Sequence, residues 1–391
     1  MAVQLEHERG KNARLRNLDP DPARCGNAPA GDSSDDEFQA AMLQGVSRTF
    51  ALTIPQLPRA LGRVVANAYL LCRIVDTIED EPALNRRQKE SFYRRFVRSL
   101  SDPLSAERFS EELCPLLSGA TIVAEHELIR HVPRVVRITR SFSVAQRETI
   151  ERCVGVMAEG MGEFQARGEL CTLEDLDQYC YYVAGVVGEM LTRMFCLYSP
   201  EINNKYDALM RLAVSFGQGL QMTNILKDVW EDYQRGACWL PREIFAEEGF
   251  DLGDLAKPGN RGGFERGVCR LIGFAHRHLR NALTYTLLIP KRETGIRKFC
   301  LWAIGLAVLT LRKINDHPDY RNGGQVKVSR LSVKGTTWVT GLAVQHDEML
   351  NGLFLLAARS LPLGPVTMGW SPQHVVQGSR VRAQNSFGSR P

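Results

Sequence analysis

Apolar residues recur every three to four positions through most of the chain between residues 37 and 357, and few stretches alternate as strictly as a half-buried strand does. The pattern predicts an all-α protein. Helices are expected over Asp36 to Ala41 and onward, Pro58 to Asp80, Asn85 to Ser99, Ala124 to Ile138, Ser143 to Arg167, Thr172 to Leu197, Tyr206 to Asp232, Arg261 to Leu288 and Gly295 to Asn315. Thr172 with Asp175 has the form of a capping box, Asp standing for the usual Glu, and Pro241 follows a helix that ends near Gly236. No linker interrupts 37–357, which predicts one domain between a disordered tail over 1–36 and a flexible tail over 358–391.

The longest apolar run, Phe299 to Leu311, has thirteen residues between two basic pairs. A bilayer span takes about 20 residues, so a buried core helix is expected and no transmembrane segment. The amino terminus has no apolar stretch after its basic residues and does not read as a secretory signal. Of the 391 residues 44% are hydrophobic and 24% charged, the balance of a globular protein, and the net charge of +5 is interleaved with acids, which argues against nucleic acid as a partner. Ten cysteines show no C-x-x-C pair or zinc spacing. That fits a reducing compartment.

Candidate chemistry sits on two helices. In YLLCRIVDTIED, Tyr69, Arg73, Asp76 and Asp80 fall on one face, with Glu79 beside them and apolar residues on the other faces. In QMTNILKDVWED, Gln221, Asn224, Asp228 and Asp232 repeat the arrangement with Glu231 alongside. One D-x-x-E-D stripe is an ordinary solvated face; two on largely apolar helices, about 150 residues apart, point to a shared cleft. Crowded carboxylates want a cation, a basic partner or a proton. Oxygen donors at this density suit Mg²⁺, with Mn²⁺ as substitute, and Mg²⁺ is commonly shared between carboxylates and substrate phosphates, so a diphosphate ligand is implied. Arg73 and Arg48 are the candidate phosphate partners, since a guanidinium offers a fork of donors.

Together VSRTFALTIP, YLLCRIVDTIED, QYCYYVAGVVGEM and QMTNILKDVWEDYQRGACWLP resemble the head-to-head prenyl synthases, the squalene and phytoene synthase family, in the same order and at similar intervals from about Ser47 to Arg330. YCYYVAGVVGEMLTRMF, IRKFCLWAIGLAVLTL and GGQVKVSR are closer to the squalene synthases. The resemblance implies a terpenoid-synthase helical fold around a central cavity, in which two farnesyl diphosphates join through presqualene diphosphate, reduced by NADPH to squalene. It assigns Asp76, Glu79, Asp80, Asp228, Glu231 and Asp232 to the metal–diphosphate cluster and Ser47, Arg48, Tyr69 and Arg73 to diphosphate oxygens, with Lys227 where the family often has arginine. Tyr182 falls where the family has a tyrosine proposed to take a proton or steady a carbocation; from the residues alone it is a core tyrosine with a bonded hydroxyl. Phe299 is equally a cation–π partner or a packing residue.

No G-x-G-x-x-G follows a strand, so a doubly wound dinucleotide site is not expected. By resemblance Asn224 and Lys327 contact NADPH, although Ser329 stands where animal enzymes have arginine, with Arg330 one residue on. Gly185, Gly188, Gly217 and Gly219 interrupt helical patterns; close helix packing, room for a prenyl chain, and local kinking all fit them. Phytoene or dehydrosqualene synthesis, which needs no reductant, and a synthase that stops at presqualene diphosphate stay open. So does a non-catalytic relative acting as an assembly factor, which would be expected to lose the acidic motifs kept here. Eukaryotic squalene synthases carry a carboxy-terminal anchor; this chain is expected to be a cytoplasmic, bacterial-type monomer that touches membranes peripherally to deliver product.

Overall fold

The computed structural model describes residues 32–257 and 261–365. The chain divides into Met1–Glu37, of which residues 32–37 begin the first helix, and Phe38–Pro391. The longer helices are α1 (Asp32–Val46), α2 (Arg59–Asp80), α3 (Arg86–Ser99), α4 (Pro103–Leu113), α5 (Val123–Arg130), α6 (Val132–Arg140), α7 (Val144–Arg167), α8 (Leu173–Cys180), α9 (Val186–Tyr198), α10 (Tyr206–Gln234), α11 (Gly262–Leu288), α12 (Thr294–Asp316), α13 (Arg330–Ala343) and α14 (Asp347–Ala358). No strand occurs among the described residues.

Local sequence sets many of the starts and stops. Asn85, Ser143 and Thr172 each form a full capping box, the last with Asp175 as expected. Gly168 and Gly236 take φ of 78° and 79° where α7 and α10 end, a conformation that a Cβ disfavours. The expected helix from Ala124 to Ile138 is two helices meeting at His131, because Pro133 has no N–H to continue the ladder and stands in the first turn of α6. The expected helix from Thr172 to Leu197 contains a π-turn at Tyr181–Gly185 between α8 and α9. Residues 32–35, placed in the tail by sequence, open α1.

One apolar cluster gathers α2, α3, α4, α6 and α7, and a second gathers α10, α11 and α12. Tyr182, Val183 and Phe216 pack against both. The central helix α10 runs along α11 and is flanked by α9 and α12. Its glycines answer the question that sequence left open. A Cβ on Gly188 would collide with the Ala213 carbonyl and one on Gly217 with the Ala184 carbonyl, so these glycines let backbones touch. A Cβ on Gly219 would come 3.0 Å from the His278 Cβ.

The helix α12 contains the Phe299–Leu311 run. It is long and apolar enough to cross a membrane by length and composition, yet 61% of its most apolar window is buried inside the protein. Residues 361–364, expected in a flexible tail, dock on α11. Leu361 is buried, the Gly364 N–H donates to Gly273 O at 3.0 Å, and Pro362 O lies 2.8 Å from His276 Nδ1. The rest of that expected tail and residues 1–31 lie outside the described residues.

Candidate active site

The carboxylates of α2 and α10 face one another. Arg235, just past the end of α10, bonds Asp232 and lies 3.8 Å from Asp80, so one guanidinium links the two stripes. Crowding and burial leave their mark on acidity. Burial first, then Asp80 and Glu125, push Asp76 up to about 7 against the pull of Arg73. Glu79 is raised well above the usual range by burial and by Asp80, Asp76 and Asp232, while burial raises Asp228 and takes Asp232 to about 6. Buried oxygens of Glu79 (Oε1) and Glu231 (Oε2) have no hydrogen-bond partner among the described residues. This is an oxygen-donor set short of positive charge.

The six carboxylates do not converge on one point, and among the described residues no three His, Cys, Asp or Glu side chains form a ready cage. That is compatible with an ion held by one or two carboxylates and completed by phosphate oxygens. Lys227 pairs with Asp228 at 3.0 Å.

On the α2 stripe the Tyr69 hydroxyl is hydrogen-bonded to Ser47, and burial raises it to about 12. Ser47 Oγ also accepts the Phe50 N–H at 3.0 Å, opening the short helix Phe50–Thr53. Arg73 is held by Glu125 and lies 3.5 Å from Asp76. Arg48 is exposed in the turn before Phe50. An aromatic wall adjoins this group: Phe50 lies 4.8 Å from Tyr69 and 6.4 Å from Phe299, and Phe299 lies 6.2 Å from Phe195, centroid to centroid.

Tyr182 sits in the π-turn, its ring seated where Gly160 leaves no room for a Cβ and 6.1 Å from Phe164. Burial raises its hydroxyl, and the charges that add to this are Glu163 and Glu159, not the D-x-x-E-D stripes. Those stripes act instead on two buried tyrosines that the sequence reading missed, Tyr93 and Tyr179, both pushed well up by burial and by Glu79 and Asp80. Glu125, Arg235 and Lys89, which donates to the Glu79 carbonyl, were also missed. Only the D-x-x-E-D spacing was read; apart from Arg235, which follows Asp232 by three residues, these partners come from other helices.

Asn224 and Lys327 are both exposed. The segment leading to Lys327 is tied to α10 three times: Trp230 Nε1 donates to Tyr320 O at 2.8 Å, the Tyr320 hydroxyl bonds Leu226 O, and the Gly323 N–H donates to Glu231 Oε1 at 2.8 Å. Ser329 caps α13, its Oγ accepting the Ser332 N–H at 3.1 Å.

The squalene synthase LSS of Botryococcus braunii is 32% identical over 73% of this chain, and the squalene synthase ERG9 of Gibberella zeae 29% identical over 70%. The chain spans 59% and 57% of those two proteins' lengths. A solved structure of TcSQS with the ligand BPH1237 (24% identity, TM-score 0.66, 83% of this chain and 98% of that one) and one of a dehydrosqualene synthase (21%, 0.58, 82% and 97%) share its terpenoid-synthase helical fold. The squalene/phytoene synthase family model matches residues 43–332, three quarters of the sequence. With that match laid over two facing acidic stripes in an all-helical fold, the chain belongs to the squalene/phytoene synthase family.

Proposed function

We propose that the protein is a squalene synthase, joining two farnesyl diphosphates through presqualene diphosphate and reducing that intermediate with NADPH to squalene. The observation that carries the reading is the pair of D-x-x-E-D stripes turned toward each other beside the Phe50–Phe299 wall. The charge-starved oxygen set fits Mg²⁺, with Mn²⁺ as substitute, held by Asp76, Glu79, Asp80, Asp228, Glu231 and Asp232. When bound, the ion neutralises charge on a departing diphosphate.

The side chains supply the rest. Ser47, Arg48, Tyr69, Arg73 and Lys227 bind and orient the diphosphate oxygens, and Tyr69, kept protonated by burial, acts as a donor. Phe50 and Phe299 exclude water, which would quench a carbocation as an alcohol, and turn aromatic faces to positive carbon. Burial raises Tyr182 too, so at neutral pH its phenol keeps its proton and serves as a fixed dipole. Asn224 and Lys327 hold NADPH, the hydride donor. The protein works as a cytoplasmic monomer that meets the membrane from one side.

One observation favours a second reading, release of dehydrosqualene or presqualene diphosphate without reduction: Ser329, standing where animal enzymes have arginine, is a neutral helix cap at the start of α13. Incubation with farnesyl diphosphate and Mg²⁺, with and without NADPH, decides between them by mass analysis. Squalene only in the NADPH tube supports the first reading; dehydrosqualene in both tubes overturns it. Asp76→Ala and Asp228→Ala are expected to lower turnover by about 10²-fold or more with unchanged circular dichroism.

A further inference from the structure

Among the described residues, seven of the fifteen large apolar side chains left exposed fall between Leu331 and Leu363. On α13 the exposed positions Leu331 (80%), Trp338 (68%) and Leu342 (63%) recur at spacings of seven and four, one stripe of a helix whose only buried residue is Ala343. On α14, Leu350, Phe354 and Ala358 form the buried stripe. The side turned away from it carries Met349 (53%), Leu355 (57%) and Leu356 (60%). Both helices pack on α12, and α13 lies close enough that a Cβ on Gly305 would come 2.6 Å from Thr336 Cγ2. The inner faces therefore hold the helices in place. The outer apolar side chains take no part in that packing, and clusters of this kind mark interaction surfaces.

Charge indicates the occupant. From Tyr320 to His346 there is no acid, while Arg321, Lys327, Arg330 and Lys334 are basic. Arg359 follows at the end of α14, and Glu348 is the one exposed acid on these two helices. In a symmetric contact between two copies this basic border would approach itself, whereas phosphate headgroups would meet it with opposite charge. Leucine and tryptophan beside lysine and arginine are the composition of helices that lie in a bilayer interface.

We infer that the outer face of α13 and α14 docks on an anionic lipid surface. Leu331, Trp338, Leu342, Met349, Leu355 and Leu356 enter the headgroup–acyl boundary, and Lys334 with its basic neighbours meets the phosphates. The inference stands on this surface alone and is independent of which prenyl product the protein makes.

The test uses the full chain with vesicles of phosphatidylcholine containing phosphatidylglycerol, and with vesicles of phosphatidylcholine alone. Sedimentation with the anionic vesicles is expected, falling with salt, together with quenching of tryptophan fluorescence by brominated acyl chains. Trp338→Phe is expected to remove most of that quenching while leaving sedimentation in place. Leu331→Ser/Trp338→Ser/Leu342→Ser is expected to weaken partitioning by about tenfold or more with unchanged circular dichroism and melting temperature, because these side chains are exposed. Lys334→Glu is expected to reduce the preference for anionic vesicles. Wild-type protein that stays in the supernatant, or a triple variant that sediments as well as wild type, overturns the inference. A dimer that the triple variant splits, without vesicle binding, also overturns it and assigns the face to a second copy.

Discussion

Asp177 and His278 lie 3.8 Å apart, Oδ1 to Nε2, between α8 and α11, and burial drives both toward neutrality. The carboxyl is pushed up to about 7, with Glu174 adding to the effect, and the imidazole down to about 4. His278 Nδ1 is hydrogen-bonded to Ser215 Oγ at 2.8 Å. The two shifts act on stability with opposite sign. The folded carboxyl holds a proton that the unfolded one loses near 3.8, so its contribution falls as pH rises from about 4 to 7. The unfolded imidazole binds a proton below 6.5 that the folded one refuses, so its contribution grows as pH rises from about 4 to 6.5. Each slope reaches up to about 1.4 kcal/mol per pH unit, and together they nearly cancel. Asp177→Asn should therefore give stability that rises between pH 4.5 and 6.5, and His278→Gln stability that falls, read from urea midpoints. Parallel trends in the two variants would show that the pair does not titrate in this way.

Among the elements, α9 and α10 meet through glycine. In an exposed helix, alanine for glycine gains about 1 kcal/mol from propensity. Here Gly188→Ala and Gly217→Ala put a Cβ against a carbonyl of the neighbouring helix, so the expected sign reverses to a loss of about 1–3 kcal/mol, checked by thermal melting. Stabilisation by either would refute the close approach. The sequence revealed these helices through a single apolar stripe on each, and it failed where that stripe was short or blurred. Pro103–Leu113 is short, with Ala106, Phe109 and Leu113 as its buried stripe. In α13 and α14 the apolar residues on the outer face blur any amphipathic period. The π-turn adds a residue to the helical ladder, and its YYVAG sequence carries no breaker before Gly185. Arg297, fully buried on α12, is tied to Asp347 at the start of α14, a pairing of residues fifty positions apart that no local pattern exposes.

At the scale of the molecule, the two apolar clusters share Tyr182, Val183 and Phe216, so the π-turn and the middle of α10 join the half that carries the first acidic stripe to the half that carries the second. The stripes themselves were readable because each is a local spacing on one helix. Most of their neighbours were not: Glu125, Tyr93 and Tyr179 enter the site from three other helices, and only folding makes them adjacent, whereas Arg235 stands three residues past Asp232, just outside the D-x-x-E-D spacing. The segment leading to Lys327 is likewise pinned to α10 by contacts distant in sequence, through Trp230, Tyr320 and Glu231. Glu231 has a particular consequence. One of its carboxylate oxygens accepts the Gly323 N–H and the other is buried with no partner among the described residues, so a single side chain serves both the acidic stripe and the segment leading to Lys327. Any cation that draws on Glu231 changes the electron density offered to that amide, and linkage makes the effect mutual: whatever steadies the segment alters the grip on the cation by the same factor. Amide exchange at Gly323 should then respond to added Mg²⁺, and Glu231→Gln should abolish the response while leaving the amide bonded. The two half-reactions proposed for this protein would in that way be thermodynamically coupled through one carboxylate.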